Sequence, residues 1–428
     1  MRERAARRVA GLLRARLPEL HVEGVPDPRA REGRWTLAQI LRATLVGLMA
    51  GCRSLAETER LTAVLGPAMR RRLGLSRRLA DTTARDALCR VSIDSLRAVL
   101  HRAVRAAWRR RALKPSGLPL SVVALDGKVT ALPTLNHPLV QNRIEGQAVP
   151  FGLVRTVTCS LVSAVGRPCI DAIPIPAETN EVAWFQTAFQ EIVKTHGGLF
   201  DVVTYDAGAL SEANARAVVT AGKEYLFTLK GEQRTMFKLA TELLDPRDVA
   251  AETMDVLDNQ TTVTRTLSLV AVDSSWSYGD GKSPEESVWR HARAFLRVEY
   301  VKRRGNKVIE QDARLFVSSL NSGALSPRQW LLLIRSHWGV ESTHHTLDTA
   351  FAEDDHPWIE ADPQGMLAVL LLRRIAYTLL ALYRAVTLRS DEHRASPWKE
   401  LLTSVRDTLL AATEDQLTGL YEVAAATR

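Results

Sequence analysis

Cysteine is scarce in this chain. Its 428 residues include four cysteines, Cys52, Cys89, Cys159 and Cys169. The spacings between them are too long for the paired ligands of a zinc site, and four cysteines in so long a chain do not build a disulfide framework. The sequence therefore predicts free thiols, as in proteins of a reducing cytoplasm.

Long apolar runs are also lacking. The stretch MLAVLLL is followed at once by Arg373 and Arg374, and WLLLI is followed by Arg335. Because a helix that spans a bilayer needs about 20 predominantly apolar residues, we expect no membrane association. The arginine-rich start, MRERAARRVAGLLRARL, lacks the apolar core and the cleavage site of a secretory signal, and we interpret it as a basic arm.

Basic residues are concentrated in the first part of the chain. Residues 1–118 contain 26 Lys and Arg against 10 Asp and Glu, so their net charge is +16, whereas the whole chain carries +9. A preference for Arg over Lys does not change net charge, so composition bias alone does not explain the surplus. Such a surplus is typical of proteins that bind a polyanion. The residues proposed for phosphate contact are Arg70, Arg71, Arg72, Arg77 and Arg78.

The hydrophobic periodicity changes after the turn-rich stretch KPSGLP. Residues 1–118 predict helices throughout, and residues 119–231 predict three strands, a helix, a strand, a helix and a strand. That order indicates an α/β fold with a mixed sheet, antiparallel at first and then extended by right-handed crossovers to parallel strands.

Three further segments follow. Residues 232–320 predict a β-rich insertion with a hairpin near Arg304-Gly305-Asn306. Helical character returns in residues 321–360, where Ser326 can cap a helix that starts at Pro327. Residues 361–428 predict a helical C-terminal region.

Two aspartates stand at the ends of predicted strands. Asp126 is followed by Gly127, and Asp206 is followed by Ala207 and Gly208. Open α/β sheets place their sites at such strand ends, and small residues allow close approach of a substrate. A single aspartate in this position is often only a turn residue. Two on matching strands favour a site, provided that the strands are neighbours.

The stretch HWGVESTHHTLDTAFAED, residues 337–354, is crowded with polar side chains. Read as one helix, it places His337, Glu341, His344, His345 and Asp348 near one stripe. A solvated helix face is the simpler alternative. Together with Asp126 and Asp206, however, Glu341 would complete a set of three carboxylates. Three carboxylates can bind two divalent cations, and Mg²⁺ prefers such oxygen ligands. A cation pair of this kind catalyses in-line displacement at phosphorus.

Four motifs occur in a characteristic order: VVALDGK, TYDAG, YLFTLKGEQ and IRSHWGVES followed by LDTAFAEDD. Over roughly residues 34 to 380 the chain resembles a DDE transposase of bacterial insertion sequences. The stretch ETNE, residues 178–181, and Lys230 with Gln233 also match segments common in that family.

The resemblance implies an RNase H-like catalytic domain with a β-rich insertion before its glutamate. It implies that Asp126, Asp206 and Glu341 are the catalytic residues and bind two Mg²⁺ or Mn²⁺ ions. Its expected partner is double-stranded DNA, both the inverted repeats at the transposon ends and the target, bound by a homodimer. We expect Lys128, Lys230 and His337 to contact DNA. His344, His345 and Asp348 would support the carboxylates from nearby.

Two other interpretations of the sequence stay open. The chain could be a domesticated transposase that binds DNA with little or no transposition activity. It could also be a diiron or zinc enzyme built on Glu341-x-x-His344, although such an architecture needs a second helix pair of the same kind, and the sequence does not show one.

Overall fold

Helices precede the first strand, and the sequence predicts helices there; six α-helices lie within the described residues. The computed structural model describes residues 2–29, 34–133, 136–143, 150–206, 208, 210–258, 260–273, 275, 288–388 and 390–411. The six helices are α1 (Arg2–Arg16), α2 (Leu37–Met49), α3 (Leu55–Val64), α4 (Pro67–Leu73), α5 (Asp81–Leu88) and α6 (Ile93–Arg109). Side chains cap several of them; Thr36, for example, accepts a hydrogen bond from the Gln39 backbone at the start of α2.

One large mixed sheet forms the centre of the protein. Its strands are β1 (Val122–Pro133), β2 (Val140–Arg143), β3 (Phe151–Leu161), β4 (Cys169–Ile175), β5 (Val202–Tyr205), β6 (Glu224–Leu229), β7 (Ala251–Val256), β8 (Thr261–Ala271), β9 (Ala294–Arg304) and β10 (Lys307–Ser318). They lie in the order β2-β3-β1-β5-β6-β10-β9-β8-β7, and β4 pairs with the other part of β3. The fold is therefore α/β with helices on both faces of a mixed sheet.

The strand directions follow the prediction in the first half of the sheet. β1 pairs antiparallel with β3, and β3 pairs antiparallel with β4 through the predicted turn at Gly166-Arg167-Pro168. β5 and β6 then join in parallel, connected by α7 (Glu181–His196) and α8 (Glu212–Thr220). β1 runs farther than predicted, to Pro133, and the short strand β2 was not predicted.

The predicted β-rich insertion extends the central sheet. β10 pairs antiparallel with β6, and β9 and β10 form the predicted hairpin, in which Lys307 pairs with Arg304. The insertion also contains α9 (Arg234–Leu243), which the sequence reading missed.

Apolar side chains alternate between the two faces of the sheet. Val123 and Leu125 of β1 belong to a core shared with α6 and α7, whereas Val122 and Ala124 belong to a second core on the opposite face. The second core includes residues of α10 (Pro327–His337) and α11 (Gly339–Thr349). Side chains on one face of β1 therefore point toward α6 and α7, and those on the other face point toward α10 and α11.

The C-terminal helices complete the first core. They are α12 (Pro363–Leu382), α13 (Asp391–Ala395) and α14 (Trp398–Ala411). Residues 363–387 are long and apolar enough to cross a membrane, but the most apolar window of that stretch is 100% buried inside the protein. Arg373 and Arg374 are buried too, and Arg374 pairs with Glu353. The predicted end of the last helix lies outside the described residues.

Candidate active site

Asp126 lies on β1, and Asp206 directly follows β5, the parallel neighbour of β1. The prediction that Asp126 ends its strand is wrong, because β1 continues to Pro133. β1 and β5 are parallel, and their pairing ends at Leu125 with Tyr205. Each aspartate is the residue directly after that last pair. The side chain of Asp126 is 31% exposed and that of Asp206 is 62% exposed, so both remain open to a ligand from solvent.

Glu341 reaches this strand edge from α11. The single helix predicted through this region is wrong, because α10 ends at His337 and α11 begins at Gly339, with Trp338 between them at φ −70° and ψ 0°. The five polar side chains therefore do not share one helical stripe. Glu341 lies in the first turn of α11 and His344 one turn later, and Nδ1 of His344 is 3.1 Å from Oδ2 of Asp126.

The negative charges of both aspartates act on Glu341. Burial raises the pKa of Glu341, and the negative charges of Asp126 and Asp206 raise it further, while Arg314 acts in the opposite direction. A raised carboxyl pKa from neighbouring carboxylates is the expected result when like charges share one small site. Such a site favours a bound cation, because a cation relieves that repulsion.

Glu181 is a fourth carboxylate at the same place, and the sequence reading gave it no role. Asn180 caps α7 by accepting a hydrogen bond from the Ala183 backbone at 3.0 Å, which makes Glu181 the first residue of the helix. A Cβ atom built on Gly127 would overlap Oε2 of Glu181. The side chain of Glu181 therefore lies directly against the β1 backbone beside Asp126.

The pKa of Glu181 supports that placement. It is raised by burial and by the charges of Asp126 and Asp206, and Arg155 opposes the rise. The pKa of Tyr205, the last residue of β5, is raised by burial and by Glu181, Asp126 and Asp206. The ETNE stretch, with an N-cap residue directly before its second glutamate, was the feature of the sequence that could have identified it.

Lys128 does not present a free ammonium group. Its side chain is buried, and Nζ lies 2.8 Å from Oδ1 of Asp348 and 2.7 Å from Oδ1 of Asp354. Burial lowers the pKa of Lys128, but the hydrogen bonds to these two carboxylates outweigh it and the net pKa is raised. Lys128 and Asp348 thus tie β1 to α11, so Lys128 is a structural cation here and not the exposed phosphate contact that the sequence suggested.

His337 is likewise a buried side chain. Its Nδ1 lies 3.0 Å from Oγ1 of Thr204 on β5, and burial lowers its pKa. His337 therefore holds the end of α10 against the sheet. His345, in contrast, is an exposed residue of α11.

Lys230 lies next to Asp206 at the end of the adjacent strand. It follows β6 directly, as Asp206 follows the adjacent parallel strand β5, and its Nζ is 3.7 Å from Oδ1 of Asp206. Its side chain is 52% exposed, so it can also reach a phosphate next to the carboxylates.

The arginine cluster lies on and after α4. Arg71, Arg72, Arg77 and Arg78 are exposed, whereas Arg70 is half-buried and donates to the carbonyl oxygens of Ala63 and Leu65. Arg78 pairs with Glu59 at 3.2 Å. Four of the five predicted phosphate contacts are thus open to solvent, and Arg70 instead holds the preceding loop.

Comparison with known proteins gives little. No family model matches the chain, and no curated protein matches it. Among solved structures, the chain is similar to a piggyBac transposase in a synaptic complex with hairpin DNA, at a TM-score of 0.45 and 11% sequence identity. That match covers 97% of this chain and 81% of the other. The function proposed below rests on the geometry of the site.

Proposed function

We propose that the protein is a DDE-type transposase of the insertion-sequence class, which cleaves and rejoins DNA phosphodiesters at the ends of a mobile element. The observation that carries this proposal is the convergence of Asp126, Asp206 and Glu341 from β1, the end of β5 and α11. The strand order β4-β3-β1-β5-β6, antiparallel and then parallel, supports an RNase H-like assignment for this half of the sheet.

The donor set fits a divalent metal of the Mg²⁺ class. Asp126, Asp206 and Glu341 would bind two Mg²⁺ or Mn²⁺ ions, and Glu181 is placed to share in that binding. All four offer carboxylate oxygens, and mutual repulsion already raises the pKa of Glu341 and Glu181. When bound, such ions activate the attacking oxygen and stabilise the leaving oxygen of an in-line displacement.

The protein's own residues set up this chemistry. His344 holds Asp126 by its 3.1 Å contact, and Lys230 approaches Asp206 from the next strand. In the first reaction a water oxygen forms a bond to phosphorus and the bond to the 3′-oxygen breaks. In strand transfer the freed 3′-hydroxyl attacks a target phosphodiester in the same way. The solvent-open position of Asp206 leaves room for a DNA strand beside the carboxylates.

DNA binding is assigned to the exposed arginines Arg71, Arg72, Arg77 and Arg78, with Lys230 nearer the cut phosphodiester. A homodimer on DNA is part of this proposal, because two transposon ends must be brought together. The net charge of +16 in residues 1–118 supplies long-range attraction to DNA.

The test is a cleavage and strand-transfer assay with the purified full chain. Its substrate is duplex DNA carrying the terminal sequences that flank the gene, supplied with Mg²⁺ or Mn²⁺ and a supercoiled target plasmid. The proposal expects metal-dependent nicks that expose 3′-hydroxyl ends, and joined products. Specific DNA binding without cleavage in either metal would instead identify a domesticated DNA-binding protein.

A further inference from the structure

A second group of metal-binding side chains lies on the other face of the sheet. His101 of α6, Asp171 of β4 and His196, the last residue of α7, each offer one ligand atom, and these atoms lie within 4.8 Å of one another. Strand register separates them from the carboxylate site: Leu125 pairs with Cys159, which pairs with Asp171, while Asp126 pairs with Thr158. Adjacent positions along a strand point to opposite faces.

All three side chains are shielded from solvent. His101 is 9% exposed, Asp171 is 0% exposed and His196 is 2% exposed. Nε2 of His101 is 3.1 Å from Oδ2 of Asp171, and the two imidazole rings meet edge to face with their centroids 4.7 Å apart. The group is therefore compact, and its chemistry is unlike that of the open carboxylate site.

Three nitrogen atoms in this group lack an aligned hydrogen bond. They are Nε2 of His101 and both ring nitrogens of His196, judged against the described residues. Leaving a buried polar atom without a partner is destabilising. Buried groups of this kind call for a partner such as an ion or an ordered water. His101, whose Nε2 contacts Asp171, and His196, whose two ring nitrogens have no aligned partner, give with Asp171 the two imidazoles and one carboxylate of a transition-metal ligand set.

Arg97 fixes the carboxylate in place. Its Nε donates to Oδ1 of Asp171 at 3.0 Å and its Nη2 donates to Oδ2 at 2.9 Å, while Nη2 also lies 2.9 Å from Oε2 of Glu191. Asp94 also lies 3.4 Å from Arg97, so three carboxylates surround one guanidinium and negative charge is in excess among these four groups. A divalent cation is therefore compatible with the local charge, and Arg97 keeps the Asp171 carboxylate in position to bind it.

We propose that His101, Asp171 and His196 bind a divalent transition-metal ion, with Zn²⁺ as the best fit. Imidazole with one carboxylate suits zinc, whereas Mg²⁺ selects oxygen ligands. Because the site is buried and joins α6, β4 and α7, the ion has a structural role: it fastens the N-terminal helices to the sheet that carries the carboxylates. This proposal does not depend on the proposed transposase activity.

The experiment uses the full chain without a polyhistidine tag. Metal content is measured by mass spectrometry after dialysis against a metal-free buffer, and Co²⁺ is then titrated while its visible absorption is followed. The expected result is about one zinc per chain and a Co²⁺ spectrum that saturates at one equivalent. Added Zn²⁺ should raise the melting temperature by several degrees, because it binds the folded chain.

Variants separate this site from the others. His196→Leu and His101→Gln should each lose the bound zinc and the melting shift, whereas His345→Gln, at an exposed histidine, should keep both. Glu341→Gln should also keep the zinc, because it belongs to the carboxylate site. If the wild-type chain holds no zinc and neither Zn²⁺ nor Co²⁺ binds more tightly to it than to His101→Gln, the proposal is wrong. If His101→Gln does not fold, the wild-type chain alone decides: no bound zinc and no saturating Co²⁺ spectrum would contradict the proposal.

Discussion

Glu181 lies directly over Gly127, and the Cβ atom of any other residue at position 127 would overlap its carboxylate. This relationship brings the start of α7 to the point on β1, beside Asp126, where the pairing of β1 with β5 ends. Four acidic side chains from four separate segments thus converge on one edge. Glu181 is not among the three predicted carboxylates. The Asn180 cap of α7 and the missing side chain of Gly127 place it in the site.

Glu181→Gln should weaken metal-dependent cleavage. The substitution keeps the shape of the side chain but removes one negative charge near the ions, so we expect about a 10- to 100-fold loss of activity and a higher Mn²⁺ requirement. The measurement is the cleavage rate as a function of Mn²⁺ concentration. Glu178→Gln is the matched control, because Glu178 belongs to the same ETNE stretch but is exposed. Equal effects of the two substitutions would remove Glu181 from the site.

Gly127→Ala should act through Glu181. The new methyl group would displace the carboxylate, so activity should fall in the same direction as in Glu181→Gln. In a Glu181→Ala background the same change should cost much less, because the displaced group is already gone. A double-mutant cycle on the cleavage rate measures this coupling. Fully additive effects would mean that Gly127→Ala acts on the strand itself.

Lys128→Met should lower stability more than DNA affinity. Lys128 is buried between Asp348 and Asp354, and its loss leaves those carboxylates without their cation. We expect the free energy of unfolding to fall by about 1–3 kcal/mol, less than for a fully buried pair because Asp354 is half exposed. Denaturant unfolding and DNA titration give the two quantities. A large loss of DNA affinity at unchanged stability would restore the phosphate contact that the sequence suggested.

Replacing Arg71, Arg72 and Arg77 with Gln should weaken DNA binding without altering the carboxylate site. Each lost phosphate contact should reduce the slope of log affinity against log salt by roughly 0.9. Binding measured over a range of salt concentrations gives this slope. Arg247→Gln, at an exposed arginine in the insertion, is the control. An unchanged slope in the triple variant would place the DNA elsewhere.

Local rules allowed much of the fold to be predicted. Thr36 and Ser326 cap α2 and α10 as expected, and the order of strands and helices from β3 to β6 follows from the turns and the hydrophobic period. Asp126 and Asp206 could be matched because residues that follow the paired parts of adjacent parallel strands meet at one edge. These features depend on contacts between residues that are close in sequence, or on the right-handed crossover rule for parallel strands.

The features that were missed depend on long-range packing. Gly339 directly follows Trp338, but a single glycine in a helical pattern does not by itself predict a break. The break turns His337 toward Thr204 and leaves Glu341 on a separate helix. The partners of Lys128 lie more than 200 residues away, so no local pattern could show that its charge is already paired. Helix α9 was not predicted because the sequence around it favours strands.

The proposed function requires that Asp126, Asp206 and Glu341 together perform metal-dependent DNA cleavage. Its most direct test is the cleavage rate of Asp126→Asn, Asp206→Asn and Glu341→Gln with Mg²⁺, with DNA binding measured on the same preparations. Asp355→Asn, at an exposed aspartate, is the control. We predict that each of the three loses roughly 100-fold or more in rate while binding DNA as the wild type does. Cleavage at the control rate in any one of them would contradict the account.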